Sequence, residues 1–159
     1  MSPQTTFIEI FDAEFRRIHE RSCELAALIP DDKLFLKPTS GTYSCGEYLL
    51  RSAAAVEQTF GGITARLWDD PFEWTLPEEL ATSGKILEYL KEVESTRNKG
   101  FDFFRSDAEL SRQIPAPLEF TSIFELLLQT ISRASHFQGR ATAVFQMLSP
   151  AELSDFRRS

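Results

Sequence analysis

The sequence predicts an all-α protein with the architecture of a four-helix bundle. Apolar residues recur at intervals of three, four and seven along four long segments, so that they share one helical face in each segment. Pro and Gly residues interrupt the stretches between these segments, and no alternating apolar pattern predicts a β-strand. We expect helices at about residues 3–29, 44–68, 82–105 and 121–148, packed around one core.

The first two helices are defined by their apolar stripes and by the residues that end them. The first stripe consists of Ile8, Phe11, Phe15, Ile18, Leu25 and Ile29. Pro30 ends this helix and starts a loop that runs to Ser44. The second stripe consists of Leu49, Ala53, Val56, Phe60, Ile63 and Leu67, and the turn Asp69-Asp70-Pro71 ends it.

The last two helices follow a polar, proline-bearing connection. The third stripe consists of Ile86, Leu90, Val93, Phe101 and Phe104, and a loop around Pro115 and Pro117 separates it from the fourth. The fourth stripe consists of Phe124, Leu127, Ile131, Ala134, Ala141, Phe145 and Leu148. Because the connection between helices two and three is long, it can cross the bundle, and a simple up-down-up-down order is not required.

Two helices open with the same pattern, a Ser followed three residues later by Glu. Ser44 and Glu47 start the second helix, and Ser122 and Glu125 start the fourth. Each pair predicts a capping box, in which the two side chains satisfy free backbone N–H groups reciprocally. The repetition fits either ordinary helix starts or a bundle of two related helix pairs.

Composition limits the classes of partner. A chain of 159 residues is the length of one domain, and we assign residues 1–159 to a single one. Acidic residues outnumber basic ones by 24 to 17, which argues against nucleic acid and anionic membranes as partners. No apolar run has the ~20 residues that cross a bilayer, and the first ten residues lack the features of a secretory signal. We therefore expect a cytoplasmic protein.

Several residues have ordinary structural interpretations. Cys23 and Cys45 have no CxxC spacing and are expected to be inert thiols. His19 lies in a charged stretch and is expected on a solvated helix face. Gly61 and Gly62 weaken the second helix, and a close helix crossing at a dimer interface would explain them.

The motifs, taken in order, resemble the DinB-like (DinB/YfiT) superfamily. The segment Phe35-Leu36-Lys37-Pro38 leads through Gly41 into Ser44-Cys45-Gly46-Glu47-Tyr48-Leu49-Leu50, and the last helix carries His136-Phe137-Gln138-Gly139-Arg140. Members of that superfamily have a Trp/Lys-x-Pro loop before a Ser-x-x-Glu-Leu-Leu helix start, and a His-x-x-x-His-Arg-Gly-Gln-like segment in the last helix. The resemblance covers nearly the whole chain.

The resemblance implies an up-down-down-up bundle that forms a homodimer. In metal-bearing members, three His from the second and fourth helices hold a divalent ion such as Ni²⁺ or Zn²⁺. Characterised relatives include thiol-dependent transferases and isomerases.

The chain departs from that pattern at the metal ligands. It has only two histidines, His19 and His136. Matching the motifs places the ligand of the second helix at Arg51, with Ser52 alongside, and the ligands of the last helix at Arg133 and Phe137. His136 occupies the neighbouring position and is expected to face solvent or a partner subunit. A register shift of one residue would make it a remaining metal ligand.

Two functions from different classes follow. In the first, the protein is a metal-free binding or interaction module with no catalytic residue and no cofactor, and its vestigial pocket holds a small-molecule or anionic ligand. Arg51, Ser52, Arg133, His136 and Phe137 are the candidate pocket residues, because two guanidiniums can replace the charge of a cation and bind an anion.

The alternative is a metal- or thiol-dependent transferase or hydrolase that uses His136, with one divalent ion such as Ni²⁺ or Zn²⁺ or without a metal. A plainer interpretation of the two arginines is that they are surface residues, or that they pair with Glu14, Glu47 or Glu57.

Overall fold

The computed structural model describes residues 4–70, 72, 77–149 and 153. Its α-helices are α1 (Thr6–Leu28), α2 (Asp31–Leu34), α3 (Cys45–Ala65), α4 (Ser83–Phe101) and α5 (Ile123–Leu148). Two 3₁₀ turns, Pro77–Leu80 and Asp107–Ser111, precede α4 and follow it, respectively. The predicted all-α class is confirmed, with four long helices and the short α2 in the loop after α1.

A small β-hairpin joins α4 to α5, although no strand was predicted. Strand β1 (Gln113–Pro115) pairs antiparallel with β2 (Phe120–Ser122), and Ile114 lies opposite Thr121. Strands of three residues are too short to show an alternating pattern, so this part of the sequence prediction was wrong. The hairpin leads directly into the first turn of α5.

Contacts between the long helices define an up-down-down-up bundle. Helices α1 and α4 are antiparallel, because Asp12 meets Arg97 near one end and His19 meets Glu94 further along. Helices α1 and α5 run parallel, since Phe11 packs on Phe124 and Ile18 contacts Gln138.

The remaining pairs agree with this order. Helices α3 and α5 are antiparallel, because the Ser52 hydroxyl donates to the Ala134 carbonyl and Thr59 bonds Thr130. Helices α3 and α4 are parallel, since Glu57 accepts from Tyr89 and Phe60 packs on Phe101. Among the described elements, α3 and α5 form the most extensive contact.

Aromatic rings fill the centre of the bundle. Phe15, Phe60, Phe101 and Phe104 form a chain of ring contacts with centroid separations between 5.3 and 5.9 Å. These rings come from α1, α3, α4 and the turn after α4. The predicted apolar stripes therefore meet in one core, where Phe15 and Phe60 are almost completely buried.

Side chains cap the starts of α3 and α5. The predicted capping box is present at α3 but is only half formed at α5. Ser44 and Glu47 form the complete capping box. Ser122 accepts the Glu125 N–H, but the Glu125 carboxylate accepts from the Thr121 hydroxyl instead of closing the box.

The glycines of α3 have an explanation within one chain. A Cβ on Gly62 would lie 2.2 Å from the Trp68 ring, and one on Gly61 would lie 3.0 Å from the Leu67 carbonyl oxygen. Arg66 ends α3 with a φ of 57°, which turns the chain back onto the helix. The close approach at these glycines is therefore to the chain's own turn, which explains them without a dimer crossing.

None of the helices in the described residues combines the length and hydropathy that a membrane crossing needs.

Candidate ligand-binding cleft

A cleft with a volume of about 180 Å³ opens between α3 and α5, and we call it the α3–α5 cleft. Its lining residues come from α3, α5 and the turn after α3: Arg51, Ala54, Ala55, Gln58, Asp70, Phe72, Arg133 and Phe137. Ala54 and Ala55 are buried and have the smallest side chains that a helix commonly carries. Their lack of bulk leaves space between two helices that otherwise pack closely.

Arg51 lies over an aromatic ring at the edge of this cleft. Its guanidinium carbon is 4.2 Å from the centre of the Tyr43 ring, which meets Tyr48 edge-on at 5.5 Å. This is a cation–π arrangement, and it keeps the planar group in one position without using its hydrogen-bond donors.

Arg133 is held by a short hydrogen-bond chain. Its Nη2 donates to Gln58 Oε1 at 3.3 Å, and Gln58 Nε2 donates to the Trp68 carbonyl at 2.9 Å. A guanidinium has five N–H donors, so most of those on Arg133 stay available to a ligand.

Neither guanidinium forms an ion pair with a carboxylate of the residues that the structure describes. Glu47 closes the capping box of α3, Glu57 accepts from the Tyr89 hydroxyl at 2.6 Å, and Glu14 pairs with Arg17. The interpretation that these glutamates pair with the arginines was therefore wrong, whereas the interpretation as surface residues agrees with the exposed position of Arg133. The cleft therefore has two cationic groups, and neither forms an ion pair with a carboxylate in the described part of the chain.

Asp70 and Phe72 complete the cleft, and the sequence did not identify them as site residues. Asp70 Oδ1 accepts the Phe72 N–H at 2.9 Å, and the Phe72 ring meets the Tyr89 ring edge-on. Burial raises the pKa of the Tyr89 hydroxyl, and its hydrogen bond to Glu57 adds to this. Tyr89 is therefore a neutral anchor for the Phe72 side of the cleft.

Three of the five predicted pocket residues meet in the cleft, namely Arg51, Arg133 and Phe137. Ser52 does not, because it is buried and lines a narrow cavity against Phe15 of α1. His136 lies on the outer face of α5, in a shallow depression with Leu128 and Ser132. Arg140 Nε donates to His136 Nε2 at 3.1 Å.

The side chains at the predicted metal positions do not fit a metal ion. Arg51 and Arg133 are protonated and have donors only, and Phe137 has no ligand atom. Ser52 gives its hydroxyl hydrogen to Ala134. Among the residues that the structure describes, no three or more His, Cys, Asp or Glu side chains are grouped so that they could hold a metal ion.

A second polar cluster lies between α1 and α4, and the sequence did not predict it. His19 Nε2 is 2.9 Å from Glu94 Oε2 and 3.5 Å from the Cys23 sulfur, and the His19 side chain is only 16% exposed. The expectation of a solvated His19 was wrong, because α4 packs over it. Burial lowers the pKa of His19 against the opposing effect of Glu94.

The two thiols match the prediction of unreactive cysteines. Both are free, and burial raises the pKa of Cys23 and that of Cys45, the latter to about 12. A thiolate is the reactive form, so neither environment activates the sulfur.

Comparison with known proteins supports the fold. No family model matches the chain, and no curated protein matches it. Among solved structures, it is similar to the crystal structure of a DinB-like protein from Bacillus cereus ATCC 10987, with a TM-score of 0.70 and 14% sequence identity. The match covers 92% of this chain and 97% of that chain. The protein therefore has a DinB-like fold, as the sequence motifs indicated.

Proposed function

We propose that this protein is a metal-free, catalytically inactive binding module, and that the α3–α5 cleft holds a small organic anion between Arg51 and Arg133. One observation carries the proposal: two guanidiniums line the same small cleft and neither has a carboxylate partner among the described residues. A chain with a formal charge of −7 has carboxylates in excess to neutralise them. That neither guanidinium forms an ion pair with one of the described carboxylates favours a role in binding.

The chemistry of the guanidinium supports a carboxylate as the bound group. A planar guanidinium donates two parallel hydrogen bonds to a carboxylate, and such charge-assisted bonds are stronger than neutral ones. Arg51 is oriented by Tyr43 and Arg133 by Gln58, so less side-chain freedom is lost when an anion binds.

We infer the absence of catalysis from the side chains at the predicted metal positions. A nucleophile needs a base, and a metal enzyme of this fold needs ligands that Arg and Phe cannot replace. His136, the one remaining histidine of α5, lies outside the cleft and accepts a hydrogen bond from cationic Arg140.

Anion binding is tested by isothermal titration calorimetry with a panel of small carboxylates. Arg51→Gln and Arg133→Gln are each expected to weaken binding by roughly 10- to 100-fold, as expected when a hydrogen bond to a charged group worth ~1.5–3 kcal/mol is lost. Arg112→Gln is the matched control, because Arg112 is an exposed arginine outside the cleft. Binding that is unchanged in both cleft variants would contradict the proposal.

The metal-free state is tested by elemental analysis of protein purified without a His-tag. We expect far less than one divalent ion per chain, and a stoichiometric Ni²⁺ or Zn²⁺ held by native side chains would overturn this part. Thiol consumption with a panel of electrophiles is the companion assay. Activity lost in His136→Ala would support the transferase or hydrolase alternative instead.

We also propose that the protein is a cytoplasmic homodimer. Exposed apolar side chains on the hairpin support self-association, since Leu118 is 98% and Phe120 71% exposed, and both precede α5. Leu118 also borders a groove of about 400 Å³ that includes Trp68 and Leu126.

Light scattering after size-exclusion chromatography tests the dimer. A dimeric mass is expected for the parent, and a monomeric mass for the double variant Leu118→Ser, Phe120→Ser. Met147→Gln is the control, because it removes another exposed apolar side chain that lies near the end of α5. A monomeric parent, or a double variant that stays dimeric, would contradict this assignment.

A further inference from the structure

We infer that the ligand of the α3–α5 cleft is a zwitterion of the size of an amino acid, with its carboxylate on the two arginines and its ammonium group on Asp70. This inference rests on the proposed anion-binding function and names the ligand class. It starts from the third charge in the cleft, which is negative.

Asp70 has no ion pair among the residues that the structure describes. It lines the same cleft as Arg51 and Arg133, and its Oδ1 accepts a hydrogen bond from the Phe72 N–H. That bond fixes the carboxylate at the edge of the cleft and leaves Oδ2 available. An ammonium group is the natural counter-ion for this oxygen.

The negative charge also discriminates against simple anions. A ligand with only a carboxylate gains from the arginines but meets the like charge of Asp70 in the same small cleft. A ligand with an added ammonium group converts that repulsion into attraction. The charge pattern of the cleft, two positive groups and one negative, therefore matches an amino acid better than a simple acid.

The volume of the α3–α5 cleft and the chemistry of its walls limit the size and polarity of the remainder of the ligand. The cleft has a volume of about 180 Å³, whereas pockets for drug-sized molecules have roughly 300–1,000 Å³. An apolar cavity of ~150 Å³ takes a molecule the size of benzene. Phe72, Phe137, Ala54 and Ala55 supply apolar walls. These features fit a short apolar side chain.

The test compares matched ligand pairs that differ only in the ammonium group. Calorimetric titrations are run with alanine and propionate, with leucine and 4-methylpentanoate, and with phenylalanine and 3-phenylpropionate. For at least one pair, the parent is expected to bind the amino acid about tenfold or more tightly than the simple acid. Asp70→Asn is expected to abolish that preference, because Asn keeps the size of the side chain and an acceptor for the Phe72 N–H.

Failure of this inference differs from failure of the proposed function. If the simple acids bind as tightly as the amino acids, or if Asp70→Asn keeps the preference, the ligand is not recognised as a zwitterion, although anion binding stands. If Arg51→Gln and Arg133→Gln leave all titrations unchanged, or if no compound of the panel binds the parent, the anion site and the zwitterion both fall.

Discussion

The Arg51 guanidinium carbon lies 4.2 Å from the centre of the Tyr43 ring, and this contact joins the loop before α3 to the cleft. Tyr43 immediately precedes the Ser44 cap, so the capping box that starts α3 also fixes the ring under Arg51. The loop motif that indicated the fold therefore orients a residue of the proposed binding site.

Tyr43→Leu is expected to weaken anion binding by up to roughly fivefold, because a cation–π contact at an exposed site is worth about 0.5–1 kcal/mol. Tyr43→Phe is the control and is expected to bind like the parent, since the ring is kept. Calorimetry with the tightest carboxylate of the panel measures both. If the Leu variant binds the carboxylate as tightly as the Phe variant does, the Tyr43 ring does not position Arg51.

Gly62→Ala is expected to destabilise the fold and weaken anion binding together. An added Cβ would lie 2.2 Å from the Trp68 ring, so the indole must move, and overpacking of this kind costs about 1–3 kcal/mol. Because the Trp68 carbonyl holds Gln58, which in turn holds Arg133, the displacement reaches the cleft. Urea denaturation and calorimetry on the same preparation measure the two effects.

Gly139→Ala is the matched change on α5, where an added Cβ would meet no atom within 4 Å. We expect it to raise the free energy of unfolding by about 0.5–1 kcal/mol, because Ala is the better helix former. If both glycine variants shift stability in the same direction, the contact with Trp68 does not decide the effect at Gly62.

The sequence predicted the long helices from periodicity, whereas it was the resemblance to the DinB-like superfamily that placed Arg51 and Arg133 in one candidate pocket. A residue's place on a helix follows from its distance to the apolar stripe, and α3 and α5 each show a clear stripe. The same reasoning correctly expected His136 on the outer face of α5, where it is exposed.

The missed residues depend on turns and on packing between distant segments. Asp70 reaches the cleft because Arg66 adopts a left-handed conformation with φ of 57°, which a non-glycine residue rarely does and no local pattern indicates. His19 was misjudged because its own helix shows charged neighbours, whereas its burial comes from α4. Such information lies in pairs of segments far apart in the chain.

Asp107→Ala is expected to destabilise the bundle through the start of α1. Its carboxylate accepts the Phe7 N–H at 3.1 Å and the Ile8 N–H at 3.0 Å, while the local cap, Thr5, makes no side-chain cap bond. Loss of an N-terminal cap costs roughly 1 kcal/mol, up to about 2 with the favourable charge at the helix dipole.

Asp107→Asn separates the two contributions, because the amide keeps one acceptor oxygen and loses the charge. In urea denaturation, the Asn variant is expected to lose less free energy of unfolding, relative to the parent, than the Ala variant does. If Asp107→Ala has the stability of the parent, the turn after α4 does not cap α1.

His19 makes stability depend on pH in a defined direction. Burial lowers its pKa in the folded state from the ordinary 6.5, and the attraction of Glu94 only partly opposes this effect. Below pH 6.5 the unfolded chain therefore binds a proton that the folded chain resists, so the free energy of unfolding falls as the solution is acidified. The loss is complete below the lowered pKa of the folded state.

His19→Gln keeps an N–H donor for Glu94 but does not titrate. Between about pH 7 and pH 5, the variant is expected to lose less stability than the parent in urea denaturation. Glu94, Arg97 and Glu20, the other charges near His19, are the same in both proteins, and equal pH slopes would therefore contradict the assignment to His19.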